Sequence, residues 1–237
     1  MGTEQDFWRE RWQGHRTGWD LGGAHECLVP LLKLFAKVSL IESLGAPGPL
    51  RIYSPGCGRA HDGAAIVSRS IPLPPSLAAR QIEVMATDFA PEAIDAAREI
   101  YGNLTGKGLS LAVEDARADV PVAEKQKFHV VFDRAMLCAL RPDLRPAYLR
   151  ACHDRLAPGG IFLSLPFTRI EDTPEHPPGS GPPFEISMAN LETLMADHHF
   201  RLLAAEKVVV RRPDTIIKEE ALTVFEAIKK RKKILTG

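Results

Sequence analysis

The chain has 237 residues, 45% of them hydrophobic and 25% charged, the make-up of an ordinary globular protein long enough to bury one large core. Its 30 basic and 30 acidic residues cancel, which argues against a polyanionic partner or an acidic substrate. The four cysteines, Cys27, Cys57, Cys138 and Cys152, form no CxxC pair. With no secretory-type start and no apolar run long enough to cross a bilayer, they read as reduced thiols of a cytoplasmic protein.

In chain order, the first twenty residues carry all three tryptophans, Trp8, Trp12 and Trp19. Trp8 and Trp12, four apart, share one face of a short predicted helix. A helical pattern then runs from about His25 to Leu44 and stops at Gly-Ala-Pro-Gly-Pro. Residues 50–54 are a strand leading into Pro-Gly-Cys-Gly, and 61–70 a helix. Three prolines between 71 and 80 make a surface excursion before a strand over 81–88. Residues 90–102 form a helix with Pro91 in its first turn. Strands are predicted over 109–116 and 127–134, then a helix over 142–160 closed by a Pro-Gly-Gly turn, and a strand over 161–167. Residues 168–184, with five prolines and two glycines, form a long loop of the kind that is usually functional. The remainder reads as a helix (Ser187 to His198) and two strands (Phe200 to Val210, Ala221 to Lys229).

This alternation predicts an α/β fold: a Rossmann-like, seven-stranded, mostly parallel sheet with helices on both faces. The last two strands are joined by too few residues for a crossover helix, so the last strand is expected to be antiparallel. In such sheets ligands bind beyond the carboxyl ends of the strands. The candidate site is therefore Gly56 to Gly58, Asp88, Asp115 to Arg117, and the pair Asp133-Arg134. Each aspartate could be a plain helix cap or turn former. Three in successive strand-end positions after a Gly-x-Gly loop point instead to a nucleoside. Asp88 is the most specific, because a carboxylate there can accept both hydroxyls of a ribose. It lies 30 residues past Gly58, against about 20 in the usual dinucleotide fingerprint, and the proline-rich excursion accounts for the excess. The third glycine of Gly-x-Gly-x-x-Gly is replaced by His61, which weakens a pyrophosphate cradle, and no P-loop lysine follows. A cofactor with a nucleoside and no phosphate fits better, namely S-adenosylmethionine. Cys57, flanked by glycines, reads as a small inward-packing side chain in a loop that acts through its backbone.

The segments YSPGCGRAHD, ATDFAPEAIDAA, FDRAMLCALRPDLRPAYL, LAPGGIFL and GPPFEIS, with FWRERWQGHRTGWD before them, resemble the thiopurine S-methyltransferase family. That family belongs to the class I S-adenosylmethionine-dependent methyltransferases and includes halide and thiol methyltransferases. The resemblance extends from about Phe7 to Lys229. It implies one methyltransferase domain over 1–237, with an aromatic lid over 1–24 and a substrate-side loop over 168–186. Trp8, Trp12 and Trp19 would fold over the cofactor, with Trp19 also facing the acceptor, and Gly56 and Gly58 would pass close to the methionine portion. Asp88 would hold the ribose and Ala116-Arg117 would lie beside the adenine, while Asp115 and Asp133 complete the candidate cofactor set. Arg134 would stand at the acceptor side of the methyl group, and Pro182, Pro183 and Phe184 of the 181–184 loop would line the substrate pocket. The insertion at Pro72–Pro75 and the polar stretch Asp115–Asp119 depart from the family pattern, and Arg117 could equally be solvated.

The implied reaction is methyl transfer to a small soft acceptor, such as a thiol, thiopurine or halide, which needs no strong base because it is ionised or nearly so. Arg134 could attract such an acceptor or simply pair with Asp133 or another carboxylate. The alternatives are an O- or N-methyltransferase of a specialised metabolite, a nicotinamide-dependent oxidoreductase, and a cofactor-binding module without catalysis. No HxxxH or HExxH pattern occurs, so no metal is expected. The basic run near the end reads as solvated, so neither nucleic acid nor a membrane is an expected partner, and the protein is expected to be a monomer.

Overall fold

Near-continuous apolar runs in the strands, and apolar stripes on the helices between them, are the pattern of a sheet covered on both faces. A computed structural model describes residues 4–38, 48–121, 123, 125, 127–170, 182–211 and 217–228 of the chain. It contains strands β1 (Leu50–Pro55), β2 (Ile82–Asp88), β3 (Leu109–Val113), β4 (Phe128–Arg134), β5 (Leu156–Leu165), β6 (Phe167–Ile170), β7 (Phe200–Arg211) and β8 (Ile217–Ala227). Helices are α1 (Glu4–Gln13), α2 (Leu28–Lys37), α3 (His61–Ser68), α4 (Pro75–Ala78), α5 (Pro91–Tyr101), α6 (Met136–Ala139), α7 (Arg145–Arg155) and α8 (Met188–Asp197).

The sheet runs β3-β2-β1-β4-β5-β8, with β6 and β7 also paired to β8. The β1–β5 pairings are parallel and every β8 pairing is antiparallel, as the short final connection requires. Strand order reverses beside β1, between β2 and β4, so the crevice for a ligand opens above the glycine loop.

Residues alternate between two cores, the period-2 signature of a sheet buried on both sides. Val130 and Phe132 of β4, with Ile161 and Leu163 of β5, pack in the core that contains α2 and α3 residues such as Leu31, Phe35, Ala64 and Ile66. Val131 and Phe162 pack on the other face with Tyr148 and Leu149 of α7 and Leu191 and Met195 of α8. A third, small cluster joins Trp12 of α1 to Ala90 and Ala93 at the start of α5.

Three expectations are corrected. The sheet has eight strands rather than seven, because β6 continues β5: Ser164 faces Thr223 and Phe167 faces Glu220 in one register, interrupted only at Pro166. Pro158-Gly159-Gly160 does not close a helix. It is taken into β5 as an irregularity that shifts the register against β4, with Gly159 at φ 73°. The proline-rich excursion holds the one-turn helix α4, anchored by the buried Leu77. The helix expected to Leu44 is described as α2 only, and residues 39–44 lie outside the described residues. Most of the 168–184 loop, Gly181 and the basic run after Ile228 lie outside them as well.

Candidate active site

The carboxyl ends of β1, β2 and β4 open into a cavity of about 630 Å³, within the usual range for small-molecule sites. Its nearer wall is the turn after β1. Gly56 and Gly58 have φ of 59° and 54°, a left-handed conformation that side chains resist. A Cβ at Gly58 would stand 3.6 Å from the Trp12 ring, so the loop and the aromatic ring meet with only van der Waals room. Cys57 lies between them, its backbone N–H donating to Thr87 O at 2.9 Å. Burial, with the Asp88 carboxylate adding to it, pushes the Cys57 thiol well above its ordinary range, so it is neither a thiolate nucleophile nor a ready metal ligand.

Asp88 ends β2 and reaches the cavity. One carboxylate oxygen accepts from Gly58 N and the other from Ala90 N, each at 3.0 Å. The carboxylate thus pins the glycine loop to the turn that leads into α5, and each oxygen keeps a lone pair for a ligand hydroxyl. Burial raises its pKa, against the lowering effect of those amide hydrogen bonds. Beyond β3, the Arg117 guanidinium grips Asp115 through two bonds of 2.9 and 2.8 Å, and Gln5 of α1 donates to the same carboxylate at 3.0 Å. Burial pushes the Asp115 carboxyl up, but these donors together hold it below its ordinary value. Arg117 is therefore paired rather than merely solvated.

The aromatic segment closes the cavity from above. Trp19 packs edge-on against Trp8 and Trp12, with ring centroids 5.1 and 5.7 Å apart, and all three line the cavity. Asp20 fastens this segment to the glycine loop through an ion pair with Arg59 and a 3.0 Å contact with His61 Nε2. The other ring nitrogen of His61 meets the Tyr101 hydroxyl at 2.7 Å. The residue that spoils the dinucleotide fingerprint thus serves as a latch for the chain's first segment.

Arg134, at the end of β4, also lines the cavity. Its ion-pair partner is Asp62 of α3, with Nε 3.5 Å from Oδ2, and not its neighbour Asp133. Asp133 is fully buried beneath the floor, where it accepts from Tyr148 Oη at 2.8 Å, Leu137 N at 3.2 Å and Ser164 Oγ at 3.3 Å. Burial lifts its pKa to about 6. Pro182 and Pro183 reach the cavity, whereas Ala116, Asp133 and Phe184 do not line it. Alternation decides Asp133: it and Arg134 are consecutive in a strand and point to opposite sides. Phe184 is tied through its backbone, its N–H donating to Cys138 O at 2.6 Å and its carbonyl accepting from the Arg145 guanidinium at 3.0 Å.

Three further lining residues linked to Arg134 were not among the sequence candidates: His25, Asp62 and Glu220. Asp62 accepts from His25 N at 2.6 Å. His25 Nδ1 accepts from Cys27 N at 3.1 Å, and Nε2 lies 3.5 Å from Glu220 Oε1. His25, Cys27 and Glu220 thus place three possible metal-ligand atoms within 4.8 Å of one another. However, an Nδ1 that accepts an amide hydrogen leaves the proton on Nε2, the atom a metal would need. The signal in the sequence is a glutamate in the first half of β8, followed by a mostly apolar run that is buried throughout (Ala221–Phe225).

The fold, with a glycine loop, an acidic β2 end and an antiparallel last strand, is that of a class I S-adenosylmethionine-dependent methyltransferase. A family profile described as thiopurine S-methyltransferase matches residues 3–233. The chain is 26% identical over 206 residues to thiocyanate methyltransferase 1 of Brassica oleracea, covering 86% of this chain and 78% of that protein. It is 27% identical over 213 residues to thiopurine S-methyltransferase of Legionella pneumophila strain Philadelphia 1, covering 85% and 89%. Among solved structures, the 1,6-didemethyltoxoflavin-N1-methyltransferase of Burkholderia thailandensis, with S-adenosylhomocysteine bound, has a TM-score of 0.64 at 18% identity and covers 95% of this chain and 87% of its own; that likeness is one of fold. The chain belongs to the thiopurine S-methyltransferase family and is an S-adenosylmethionine-dependent small-molecule methyltransferase. Among the described residues no helix is long and apolar enough to cross a membrane.

Proposed function

We propose that the chain methylates a small soft nucleophile, a thiol foremost, as a cytoplasmic monomer. The observation that carries this reading is the course of the cavity. Its lining residues come from strand ends that are neighbours in the sheet, Asp115 and Asp88 after β3 and β2, the glycine loop after β1 and Arg134 at the end of β4, so a nucleoside side and an acceptor side adjoin. The residues fit S-adenosylmethionine: a backbone cradle at Gly56 and Gly58, a carboxylate at Asp88 for ribose hydroxyls, and aromatic rings over the loop. When bound, that cofactor supplies both the electrophilic methyl group and the leaving group.

The chain's own residues align and enclose. Asp88 holds the ribose while its amide bonds keep the loop in register. Asp115 and Arg117, locked together, form the wall beside the adenine. Trp8, Trp12 and Trp19 exclude water and place aromatic faces near a cationic sulfur, an attraction of about 0.5–2 kcal/mol. Arg134 presents its guanidinium at the acceptor side, with Asp62 fixing its direction. Pro182 and Pro183 bound the acceptor from the loop side. Asp133 acts beneath them, fixing the start of α6 through the Leu137 amide.

A thermal-shift comparison tests the reading. S-adenosylhomocysteine should raise the melting temperature and NAD should not, and stabilisation by NAD alone would sink it. In calorimetry Asp88→Ala should weaken S-adenosylhomocysteine binding by about tenfold or more, as the loss of charge-assisted hydrogen bonds worth roughly 1.5–3 kcal/mol requires. Equal affinity in the two proteins would refute the ribose assignment.

A further inference from the structure

The sheet order places the acceptor end on β8. Reading along the strand ends, Asp115 follows β3, Asp88 ends β2, the glycine loop follows β1, Arg134 ends β4, and Glu220 enters β8 beyond the end of β5. Glu220 is 1% exposed and yet lines the cavity. A carboxylate held there is far from the cofactor end and close to where an acceptor must stand.

Its surroundings assign it chemistry. Beside it stand His25 and Cys27, it acts electrostatically on the buried Cys138 thiol, and His25 links it to the pair Asp62–Arg134. His25 is oriented twice, by its own N–H on Asp62 and by the Cys27 N–H on Nδ1, so its Nε2 faces Glu220. Arg134 is matched by Asp62, and Glu220 stands beside His25, whose Nδ1 is already taken by the Cys27 amide. A buried carboxylate repels a second anion and favours a group that brings a hydrogen to it.

We infer that Glu220, positioned by His25, is the catalytic base for the acceptor, and that the acceptor is a protic thiol rather than a halide or another pre-formed anion. The inference rests on the methyltransferase reading above. The thiol S–H bond breaks as its proton passes to the Glu220 carboxylate. The sulfur lone pair forms the new bond to the methyl carbon, and the electrons of the broken sulfonium–methyl bond return to the cofactor sulfur. The products are a methyl thioether, S-adenosylhomocysteine and a carboxylic acid at Glu220, which then releases its proton to water. The other candidate role, a metal ligand set with Cys27, is set aside by the amide donated to His25 Nδ1.

The test compares 2-mercaptoethanol with iodide as acceptors in the wild type and in Glu220→Gln, with S-adenosylhomocysteine binding followed by calorimetry in both. The wild type should methylate the thiol faster than iodide. Glu220→Gln should bind S-adenosylhomocysteine as the wild type does, lose roughly 10²–10⁴-fold in thiol kcat, and keep or gain iodide turnover. An equal fall for both acceptors, or an undiminished thiol rate, overturns the inference. If Glu220→Gln binds no S-adenosylhomocysteine, the decision passes to Glu220→Asp, which must lose thiol turnover selectively or the inference falls. A wild type that binds S-adenosylhomocysteine but prefers iodide refutes this inference alone. A wild type that does not bind it refutes the parent reading.

Discussion

Gly58 and Cys57 sit side by side in the loop after β1, and the physics of each is opposite. At Gly58 the backbone is left-handed, with φ at 54°, and the Trp12 ring lies at contact distance, 3.6 Å, from where a Cβ would stand. A β-branched residue there meets strain of about 1–3 kcal/mol and pushes the aromatic segment away. Gly58→Val should therefore weaken S-adenosylhomocysteine binding by about tenfold or more. Cys57→Ser changes one atom of a side chain whose thiol is kept protonated by burial, and should leave that affinity and the turnover nearly as they are. Calorimetry on both variants decides it; a Cys57→Ser protein that binds but does not turn over would restore the cysteine as a chemical residue. The glycines and Asp88, which line the cavity, were legible as candidates because their types are unusual and follow strand ends. His25 and Glu220 were not, since neither belongs to a local motif and their meeting depends on β8 entering the sheet beside β5.

Among the elements, α1 is attached in a way that sets it apart from the rest. Its one buried anchor is Trp12, 7% exposed, in a cluster with Ala90 and Ala93 that is separate from both main cores. Beyond its ring contacts with Trp19 and Arg59, its links include Gln5 to Asp115, Gln13 to Glu92, and Arg9 to Glu92 at 3.9 Å, and exposed pairs of this kind are each worth little. A helix so held can detach without unfolding the sheet. Trp12→Ala should speed hydrogen exchange across residues 4–20 and weaken cofactor binding, while the urea midpoint for the whole protein barely moves. A full core-type destabilisation of about 3–5 kcal/mol, with exchange in α1 unchanged, would show that α1 is an integral wall instead. The sequence anticipated the shared face of Trp8 and Trp12 from their spacing. It could not show that Trp19, outside the helix, packs against both.

For the molecule as a whole, Asp133 links stability to pH. Its carboxyl lies at the end of β4 on the face of the core that holds Tyr148 and Leu137, and burial lifts its pKa from the ordinary value of 3.8 to about 6. A carboxyl raised on folding binds its proton more tightly in the native state. Its contribution to stability is therefore complete below about pH 4 and lost as pH rises through 6. Two pKa units correspond to about 3 kcal/mol. Asp133→Asn keeps acceptors for the Tyr148 hydroxyl and the Leu137 amide, and can donate to Ser164, without carrying a charge. Its stability relative to the wild type, read from urea midpoints, should climb between pH 4 and pH 7; a difference that is flat over that window would show that Asp133 titrates normally.

The order of strands and helices, the two-faced burial of the sheet and the glycine–aspartate end of the cavity follow from local facts: period-2 and helical spacing, breakers, and unusual residues in sequence-adjacent turns. Parallel pairing and the antiparallel last strand follow from connection lengths. The acceptor end had no such local trace. Its wall is assembled from the segment before α2, the first turn of α3, the end of β4 and the first half of β8, elements far apart in the chain that become neighbours only when β8 inserts between β5 and β7. Burial then gives Asp133 its character, because a carboxylate changes its chemistry once water is removed and its partners are fixed. That change belongs to the tertiary structure.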